Sequence, residues 1–353
     1  MPPHADDRKP ATPSGSVRAL VTGGAGFIGS HLVERLVESG CEIVVVDDLS
    51  TGRLENLNAV RDRVGFIKAD LRDGLRELAG ERFDEIYHLA AAVGVQRVLD
   101  DPIAAVETNV ETTAAVLRFS HHSGQTRGDR PITLIASSSE VYGKPTTEVF
   151  SEENDVLYGP TSATRWSYAQ TKALDEYLAM AYDQMRDTPT VTARFFNTVG
   201  PRQVGDYGMV LPRFVAASLR GESIEVYGDG QQSRCFCDVR DVVEALPRLV
   251  RTPHAHGRVF NLGADRPISI VDLAETVRRV LGSTAPIRFR SYEEVYAPGF
   301  EDLRRRRPDL ARVREEIGFE PKIDIERTIR DLAEEIRGRE AASLRASSTE
   351  PSA

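Results

Sequence analysis

Tyr168 and Lys172, which lie four residues apart, are the side chains of this chain best suited to acid–base chemistry. In an α-helix, side chains at this spacing lie on the same face. A free phenol has a pKa of about 10, which is too high for a base at neutral pH. A neighbouring ammonium group favours the phenolate and lowers that pKa. The spacing therefore indicates a tyrosine that could remove a proton from a substrate hydroxyl group.

A run of hydroxyl side chains at 137–139 precedes this pair and is followed directly by Glu140. The run ends an apolar, strand-like segment at 132–136. We expect the end of that strand to bring a hydroxyl group beside Tyr168, because ligands of α/β sheets bind at the carboxyl ends of strands. An ordinary amphipathic helix is the alternative interpretation of the tyrosine and lysine, and a surface acid is the alternative for Glu140.

Three glycines, Gly23, Gly26 and Gly29, lie between a strand-like segment at 17–22 and a helical pattern at 30–38. Glycines at this spacing permit a tight turn, close approach of the backbone to a pyrophosphate and close packing of the helix. The helix N-terminus would add N–H donors and partial positive charge. A plain turn is the alternative, but the flanking strand and helix favour a dinucleotide site.

Asp47 and Asp48 end the next predicted strand, about twenty residues beyond the glycine turn. An acidic side chain at this point accepts hydrogen bonds from the adenosine ribose and repels a 2′-phosphate. The predicted cofactor is therefore NAD rather than NADP, and Asp47 is the predicted ribose ligand. A strand-ending loop residue is the alternative interpretation of Asp47.

Short apolar segments alternate with helical patterns from residue 17 to about residue 200. The segment 42–47 is almost continuously apolar, as in a strand that is buried on both faces. Further strand-like segments are 65–70, 85–90, 132–136 and 190–194. This alternation predicts an α/β fold, a Rossmann-type doubly wound parallel sheet with right-handed crossovers.

Glycine, proline and arginine become dense after about residue 200, which predicts a smaller, discontinuous C-terminal lobe that binds the substrate. Residues 238–250 and 258–263 nevertheless resemble one more helix and strand of the main sheet. The predicted NAD-binding domain comprises residues 17–200 and about 236–266, and the predicted lobe comprises about 201–235 and 267–335. The lobe would cover the carboxyl edge of the sheet, where such folds bind ligands.

Bulk composition restricts the possible partners. A formal net charge of -9 argues against a protein that binds nucleic acid through its phosphates. No apolar run reaches the roughly 18 residues of a membrane span, and the polar segments 1–16 and 339–353 are predicted to be disordered tails. The three cysteines form neither a disulfide framework nor an evident metal site. We therefore expect a cytoplasmic protein without a metal.

From about residue 17 to 335 the chain resembles the extended short-chain dehydrogenases/reductases of the sugar-nucleotide class. Beyond the glycine turn and the tyrosine–lysine pair, the matching segments are Asp70-Leu71, His88-Leu-Ala-Ala91, Ser138 with Val141-Tyr-Gly143, and Arg194-Phe-Phe-Asn-Thr-Val-Gly-Pro201. The resemblance implies that a triad of Ser138, Tyr168 and Lys172 oxidises C4 of a nucleotide-activated sugar with NAD.

The resemblance also implies the binding residues. Asp70 and Leu71 would contact the adenine, and Asn197 would contact a sugar phosphate. The implied NAD site comprises Gly23, Gly26, Phe27, Ile28, Gly29, Asp47, Asp70, Leu71, Leu89, Ala90, Ala91, Tyr168 and Lys172. A UDP-sugar substrate is implied as well, together with a homodimer formed through the helices at about 101–122 and 167–185.

Within this class, the chain is most similar to UDP-glucuronate decarboxylases: the UDP-xylose synthases and the decarboxylase domain of the enzyme that makes aminoarabinose for lipid A. Ser139-Glu140 stands where dehydratases carry an Asp-Glu pair. Arg306 aligns with the family's catalytic arginine. A neighbouring arginine in the run 304–307 is the alternative candidate for that role. The implied catalytic residues are Ser138, Ser139, Glu140, Tyr168, Lys172 and Arg306, and the implied substrate-binding residues are Arg165, Asn197, Arg234 and Arg306.

The residue types suit this chemistry. Oxidation at C4 places the C6 carboxylate β to a ketone, which then loses carbon dioxide readily. An arginine can hold the carboxylate through two hydrogen bonds, and Glu140, Arg306 or a water between them could protonate C5. The predicted reaction converts UDP-glucuronate to UDP-xylose, or to the UDP-4-keto-pentose if C4 is not reduced again.

Two other functions stay open. A UDP-sugar or UDP-uronate 4-epimerase needs no arginine to hold a carboxylate, so release of carbon dioxide separates it from a decarboxylase. A catalytically silent binding protein on the same fold is the third possibility, against which the intact Tyr168 and Lys172 argue. Phe300 departs from the aminoarabinose relative, which has a tyrosine there.

Overall fold

A computed structural model of the chain describes residues 15–92, 101–205, 209–295, 304 and 306–347. Its central sheet consists of β1 (Arg18–Thr22), β2 (Glu42–Asp47), β3 (Val64–Lys68), β4 (Glu85–His88), β5 (Ile132–Ser138), β6 (Thr190–Phe195) and β7 (Val259–Leu262). All neighbours pair in parallel, in the order β7-β6-β5-β4-β1-β2-β3. The predicted doubly wound parallel sheet is confirmed.

Helices cover both faces of the sheet. Those described are α1 (Phe27–Glu38), α2 (Leu71–Glu77), α3 (Pro102–His122), α4 (Ser167–Arg186), α5 (Val210–Arg220), α6 (Val239–Val250), α7 (Ile270–Leu281), α8 (Tyr292–Val295), α9 (Ala311–Ile317) and α10 (Ile325–Ser347). Leu36 of α1 and Leu246 of α6 share a core with Val45 on one face. Leu75 and Val116 pack with Val46 on the other face, which explains why the strands are apolar throughout.

The chain returns to the main sheet after leaving it. α6 and β7 follow the first part of the region rich in glycine and arginine, and β7 pairs in parallel with β6 at the edge of the sheet. The prediction that residues 238–250 and 258–263 add a helix and a strand to this sheet is confirmed.

A second apolar core lies outside the sheet. It is built from α5, α7 and α10 together with the paired strands Ile224–Tyr227 and Ile287–Arg290. Shorter pairs join Ser233–Cys235 to Pro267–Ser269 and Val149–Phe150 to Arg307–Pro308. The last of these pairs places the segment around residue 306 next to the segment that follows β5.

The C-terminal segment differs from its prediction. We predicted a disordered tail from residue 339, but α10 continues to Ser347. The segment 339–347 is rich in alanine, leucine, arginine and glutamate, which are strong helix formers, so a helix that is already packed at residues 325–336 continues into it. The rest of this tail, 348–353, and residues 1–14 lie outside the described residues, as does Phe300. Among the helices that are described, none is both long and apolar enough to span a bilayer.

Candidate functional site

A cleft runs along the carboxyl ends of the central strands. It collects every residue predicted to bind the cofactor: Gly23, Gly26, Phe27, Ile28, Gly29, Asp47, Asp70, Leu71, Leu89, Ala90, Ala91, Tyr168 and Lys172. Asp48, Ser50 and Thr51 line it too, and so do Thr108 and Thr112 of α3. Sequence reasoning named Asp48 beside Asp47 but missed the other four, because they belong to a polar loop and to the face of a long amphipathic helix.

The glycine turn leaves room for a ligand only because side chains are absent. A Cβ on Gly23, whose φ is +70°, would lie 2.7 Å from the backbone nitrogen of Ala90. A Cβ on Gly29 would lie 2.1 Å from the carbonyl oxygen of Gly23. α1 then begins at Phe27 without a side-chain cap from any described residue. Its first N–H groups are thus suited to the pyrophosphate of a dinucleotide.

Asp47 lies at the end of β2, where its carboxylate organises the loop beside the turn. One oxygen accepts a hydrogen bond from the backbone N–H of Ala25 at 2.9 Å, and the other accepts from Leu49 at 2.8 Å. Burial raises the pKa of Asp47, although both hydrogen bonds act in the opposite direction. Each oxygen keeps a further lone pair, so the carboxylate can also accept from the hydroxyls of a ribose.

Gly29→Ala is expected to abolish NAD binding, because the added methyl group would force the turn and α1 apart. Calorimetric titration should show affinity reduced by about 100-fold or more, equivalent to about 3 kcal/mol. Gly338→Ala is the matched control. No atom lies within 4 Å of a Cβ at this helical position, so the control should bind NAD normally and be more stable by about 0.5–1 kcal/mol. Unchanged NAD affinity in Gly29→Ala would place the dinucleotide elsewhere.

The predicted triad is assembled from β5 and α4. Ser138 ends β5, hydrogen-bonds to Tyr168 and accepts a hydrogen bond from the backbone N–H of Glu140 at 3.2 Å. Burial raises the pKa of Tyr168 above its usual range, and Glu140 and Asp175 raise it further, while the hydrogen bond to Ser138 lowers it. The sequence predicted a lowered pKa through Lys172. Burial and the two carboxylates raise the pKa instead, and the Lys172 ammonium lies 3.1 Å from an oxygen of Asp175, which offsets its charge.

A second cleft is lined by all four residues predicted to bind substrate: Arg165, Asn197, Arg234 and Arg306. Arg306 donates a hydrogen bond to the carboxylate of Glu140, and Arg165 approaches the other oxygen of Glu140 at 3.9 Å. Within the arginine run, Arg306 is buried, whereas Arg304 and Arg307 are exposed. The structure therefore places Arg306 against Glu140, while Arg305 lies outside the described residues.

The charge of Glu140 is fixed by its neighbours. Burial alone would raise its pKa, but Arg306, Arg165 and Arg234 together lower it below the usual value. Glu140 is therefore an ionised carboxylate at neutral pH. In that state it accepts protons and hydrogen bonds, so a water that it holds is a better source of a proton than Glu140 itself. Its negative charge also acts on Tyr168, so the two clefts meet at this point.

Three of the predicted catalytic residues do not line either of these clefts in the part of the chain that is described: Ser138, Ser139 and Glu140. Ser138 and Glu140 nevertheless interact with Tyr168 and Arg306, respectively, whereas Ser139 is buried. The second cleft instead includes Arg213 and Tyr227, whose guanidinium carbon and ring centroid lie 4.3 Å apart. Nothing in the local sequence separates Arg213 from other polar residues of an amphipathic helix, so its place in this cleft was not predictable from the sequence.

A buried ion pair joins α4 to two strands of the central sheet. Glu176 of α4 binds the guanidinium of Arg194 through both oxygens, at 2.9 and 2.7 Å, and accepts a hydrogen bond from Ser137. Because Arg194 is on β6 and Ser137 is on β5, this contact fixes α4 relative to both strands. It thereby fixes the position of the helix that carries Tyr168.

The chain matches the protein family described as GDP-mannose 4,6 dehydratase over residues 20–332. A UDP-N-acetyl-alpha-D-glucosaminuronate decarboxylase of Bacillus cytotoxicus is 36% identical over 91% of this chain and 98% of the relative. UDP-glucuronic acid decarboxylase 1 of Arabidopsis thaliana is 34% identical over 92% of this chain and 70% of the relative.

The fold also resembles that of solved enzymes. UDP-glucose 4-epimerase of Thermus thermophilus, whose structure is a complex with NAD, superimposes with a TM-score of 0.78. The two chains are 28% identical, and the alignment covers 91% of this chain and 99% of the epimerase.

Proposed function

The chain belongs to the GDP-mannose 4,6-dehydratase family of short-chain dehydrogenases/reductases, and we propose that it catalyses the NAD-dependent decarboxylation of UDP-glucuronate. The observation that carries the proposal is the contact of Glu140 with Arg306 and Arg165, with Arg234 close by, next to Tyr168. A cluster of arginines at this point suits a substrate that carries a carboxylate. A 4-epimerase acting on a neutral sugar has no need of it.

Tyr168 acts as the base of the first step. Its phenolate removes the proton of the C4 hydroxyl while C4 loses a hydride, and the hydrogen bond from Ser138 holds the phenol in place. Bound NAD supplies the hydride-transfer chemistry at C4, and its positively charged nicotinamide favours the phenolate of Tyr168. The residues of the first cleft fit this cofactor, because the glycine turn accommodates a pyrophosphate and Asp47 can accept from the ribose.

Arg306 and Arg165 then hold the C6 carboxylate while the bond between C5 and C6 breaks. The electron pair of that bond passes to the oxygen on C4, carbon dioxide leaves, and an enolate remains. A water held between Glu140 and Arg306 donates the proton to C5. Tyr168 finally returns its proton to the C4 oxygen as hydride is added to C4, which gives UDP-xylose.

A second substrate has specific support. The relative from Bacillus cytotoxicus, which the alignment covers over 98% of its length, is named for UDP-N-acetyl-glucosaminuronate. That sugar differs from UDP-glucuronate at C2, whereas the reactions at C4, C5 and C6 are the same. The acid–base pair and the arginines described above would therefore serve either substrate.

Mass spectrometry of the sugar nucleotide tests the proposal. The purified protein is incubated with NAD and either uronate, and the expected product is lighter than its substrate by one carbon dioxide. A product lighter by two further hydrogens, with NADH accumulating, would show that C4 is not reduced again. An isomer of unchanged mass would favour the 4-epimerase. Absence of any product and of any cofactor reduction would favour a silent binding protein.

We also propose that the protein is cytoplasmic and binds neither nucleic acid nor a membrane.

We propose further that the protein forms a homodimer. α3 and α4 pack side by side and expose a group of large apolar side chains, which are Ile103, Val106, Leu174, Tyr177 and Met185. Burying such a surface against a second copy is favourable. Light scattering should therefore give twice the mass of the chain, and Leu174→Glu should give a monomer. A monomeric wild type would contradict this.

A further inference from the structure

A buried ion pair lies beside the catalytic tyrosine. The ammonium of Lys172 and a carboxylate oxygen of Asp175 are 3.1 Å apart, and their side chains are only 3% and 0% exposed. Both residues lie on α4, three positions apart. Asp175 has no role in the mechanism described above, yet it is the acidic group in direct contact with the lysine that accompanies Tyr168.

Polar, uncharged side chains adjoin this pair on the side of α3 and β4. Thr113 of α3 lowers the pKa of Asp175, and its hydroxyl lies 3.2 Å from the Nε2 atom of His88, at the end of β4. The other ring nitrogen of His88 lies 2.8 Å from the hydroxyl of Thr22. Burial first, and then the charge of Lys172, lower the pKa of His88 to about 3. His88 is therefore neutral at physiological pH.

The other charged groups near the pair come from two further elements. Glu176, the next residue on α4, is bound through both oxygens to Arg194 of β6. Glu140, in the turn after β5, acts on Tyr168 but is held by Arg306. α3 presents the uncharged Asn109 and Thr113 to α4. Among the described residues, Asp175 is thus the acidic group in direct contact with Lys172.

We propose that Asp175 is a positioning residue for Lys172: its carboxylate holds the ammonium in place and offsets its charge. Asp175 thereby sets the pH range over which Tyr168 can act as a base. Without the carboxylate, the full charge of the lysine would act on the phenol. With it, the phenol remains protonated to higher pH, which suits a residue that must also return a proton at the end of the reaction.

The energetics of burial agree with a functional role. Removing a carboxylate and an ammonium from water costs free energy that their mutual attraction only partly returns, so a buried pair is weak support for stability. Burial raises the pKa of Asp175, while Lys172 and Thr113 lower it. The two neighbours therefore offset only part of the effect of burial on Asp175, and the carboxylate in turn raises the pKa of Tyr168.

Asp175→Asn removes the charge and keeps the shape. In the NAD-saturated protein, Tyr168 should ionise at a pH lower by about one unit, because the negative charge of Asp175 raises the pKa of the phenol and this variant removes it. The readout is an ultraviolet titration of tyrosinate, from which the same titration of Tyr168→Phe is subtracted. The rising limb of the pH–rate profile should move in the same direction by a similar amount.

Asp183→Asn is the matched control. Asp183 lies further along α4 and is paired with Arg127 at 2.8 Å, so its loss should leave the Tyr168 titration unmoved. If Asp175→Asn lowers the melting temperature but does not move the titration, or moves it to higher pH, the proposal is wrong. Should Asp175→Asn fail to fold, Thr113→Val should give a smaller shift to lower pH, and an unmoved titration in that variant would overturn the proposal.

The inference rests on the proposed function only in taking Tyr168 and Lys172 as the acid–base pair. The titration uses no sugar nucleotide. If the wild type fails to decarboxylate either uronate but the titration moves as expected, the proposed substrate is wrong and the role of Asp175 stands. If decarboxylation occurs but the titration does not move, the proposed substrate stands and the role of Asp175 is wrong.

Discussion

Replacing Tyr168 with phenylalanine is expected to lower kcat by about 10³-fold, because the ring remains but the oxygen that removes the C4 proton is lost. The ring packs against Ala92 and Ala105, so phenylalanine fits without leaving a cavity. Single-turnover reduction of bound NAD after adding UDP-glucuronate measures the affected step directly. The affinities for NAD and for UDP should stay close to those of the wild type.

Tyr177→Phe serves as the control on the same helix. The side chain of Tyr177 is 66% exposed in the single chain, and phenylalanine keeps its ring for the proposed dimer surface. Loss of the hydroxyl should therefore change kcat by no more than about twofold. If Tyr168→Phe retained more than about a tenth of the wild-type rate, a different group would have to be the base. The triad of Ser138, Tyr168 and Lys172 would then need to be abandoned.

Arg306→Gln is expected to separate oxidation from decarboxylation. Loss of the guanidinium should slow release of carbon dioxide by about 10²–10³-fold, in the range found when one group that stabilises developing charge is removed. Oxidation at C4 depends on Tyr168 and should persist, so bound NADH should build up before carbon dioxide appears. Simultaneous recording of NADH absorbance and carbon dioxide release tests this order of events.

Arg307→Gln provides the comparison within the same arginine run. Arg307 is exposed and pairs through its backbone with Val149, so its replacement should leave both steps within about twofold of the wild type. Should Arg307→Gln abolish release of carbon dioxide while Arg306→Gln does not, the placement of Arg306 against Glu140 would be wrong. Equal loss of both steps in Arg306→Gln would instead mean that the arginine only maintains the fold.

The parts of the site that the sequence predicted depend on short-range geometry. Gly23, Gly26 and Gly29 act through one turn, and Tyr168 and Lys172 act through one turn of helix, so spacing alone describes them. The central sheet was predictable for the same reason, since its strands are short apolar segments and most of them are followed by a helix.

What the sequence did not predict depends on contacts between distant segments. The resemblance selected Arg306 from four adjacent arginines with a neighbour as the alternative, and the pairing of Arg307–Pro308 with Val149–Phe150 explains why this side chain reaches Glu140. Asp175 looked like any polar residue on an amphipathic helix, because its burial depends on α3 packing against α4. Continuation of α10 beyond residue 339 depends on the packing of residues 325–336, from which the helix formers of 339–347 extend.

The contact of Glu140 with Arg306 joins residues 166 positions apart, and this separation has a consequence for how the protein matures. During synthesis the glycine turn, Tyr168 and Lys172 leave the ribosome well before the segment that carries Arg306, and contacts that close long loops form late in folding. We expect the nascent chain to acquire its dinucleotide cleft first and its carboxylate-binding charge last. A chain clipped before residue 304 would thus lack the group on which carbon dioxide release depends, however well its cofactor cleft had formed.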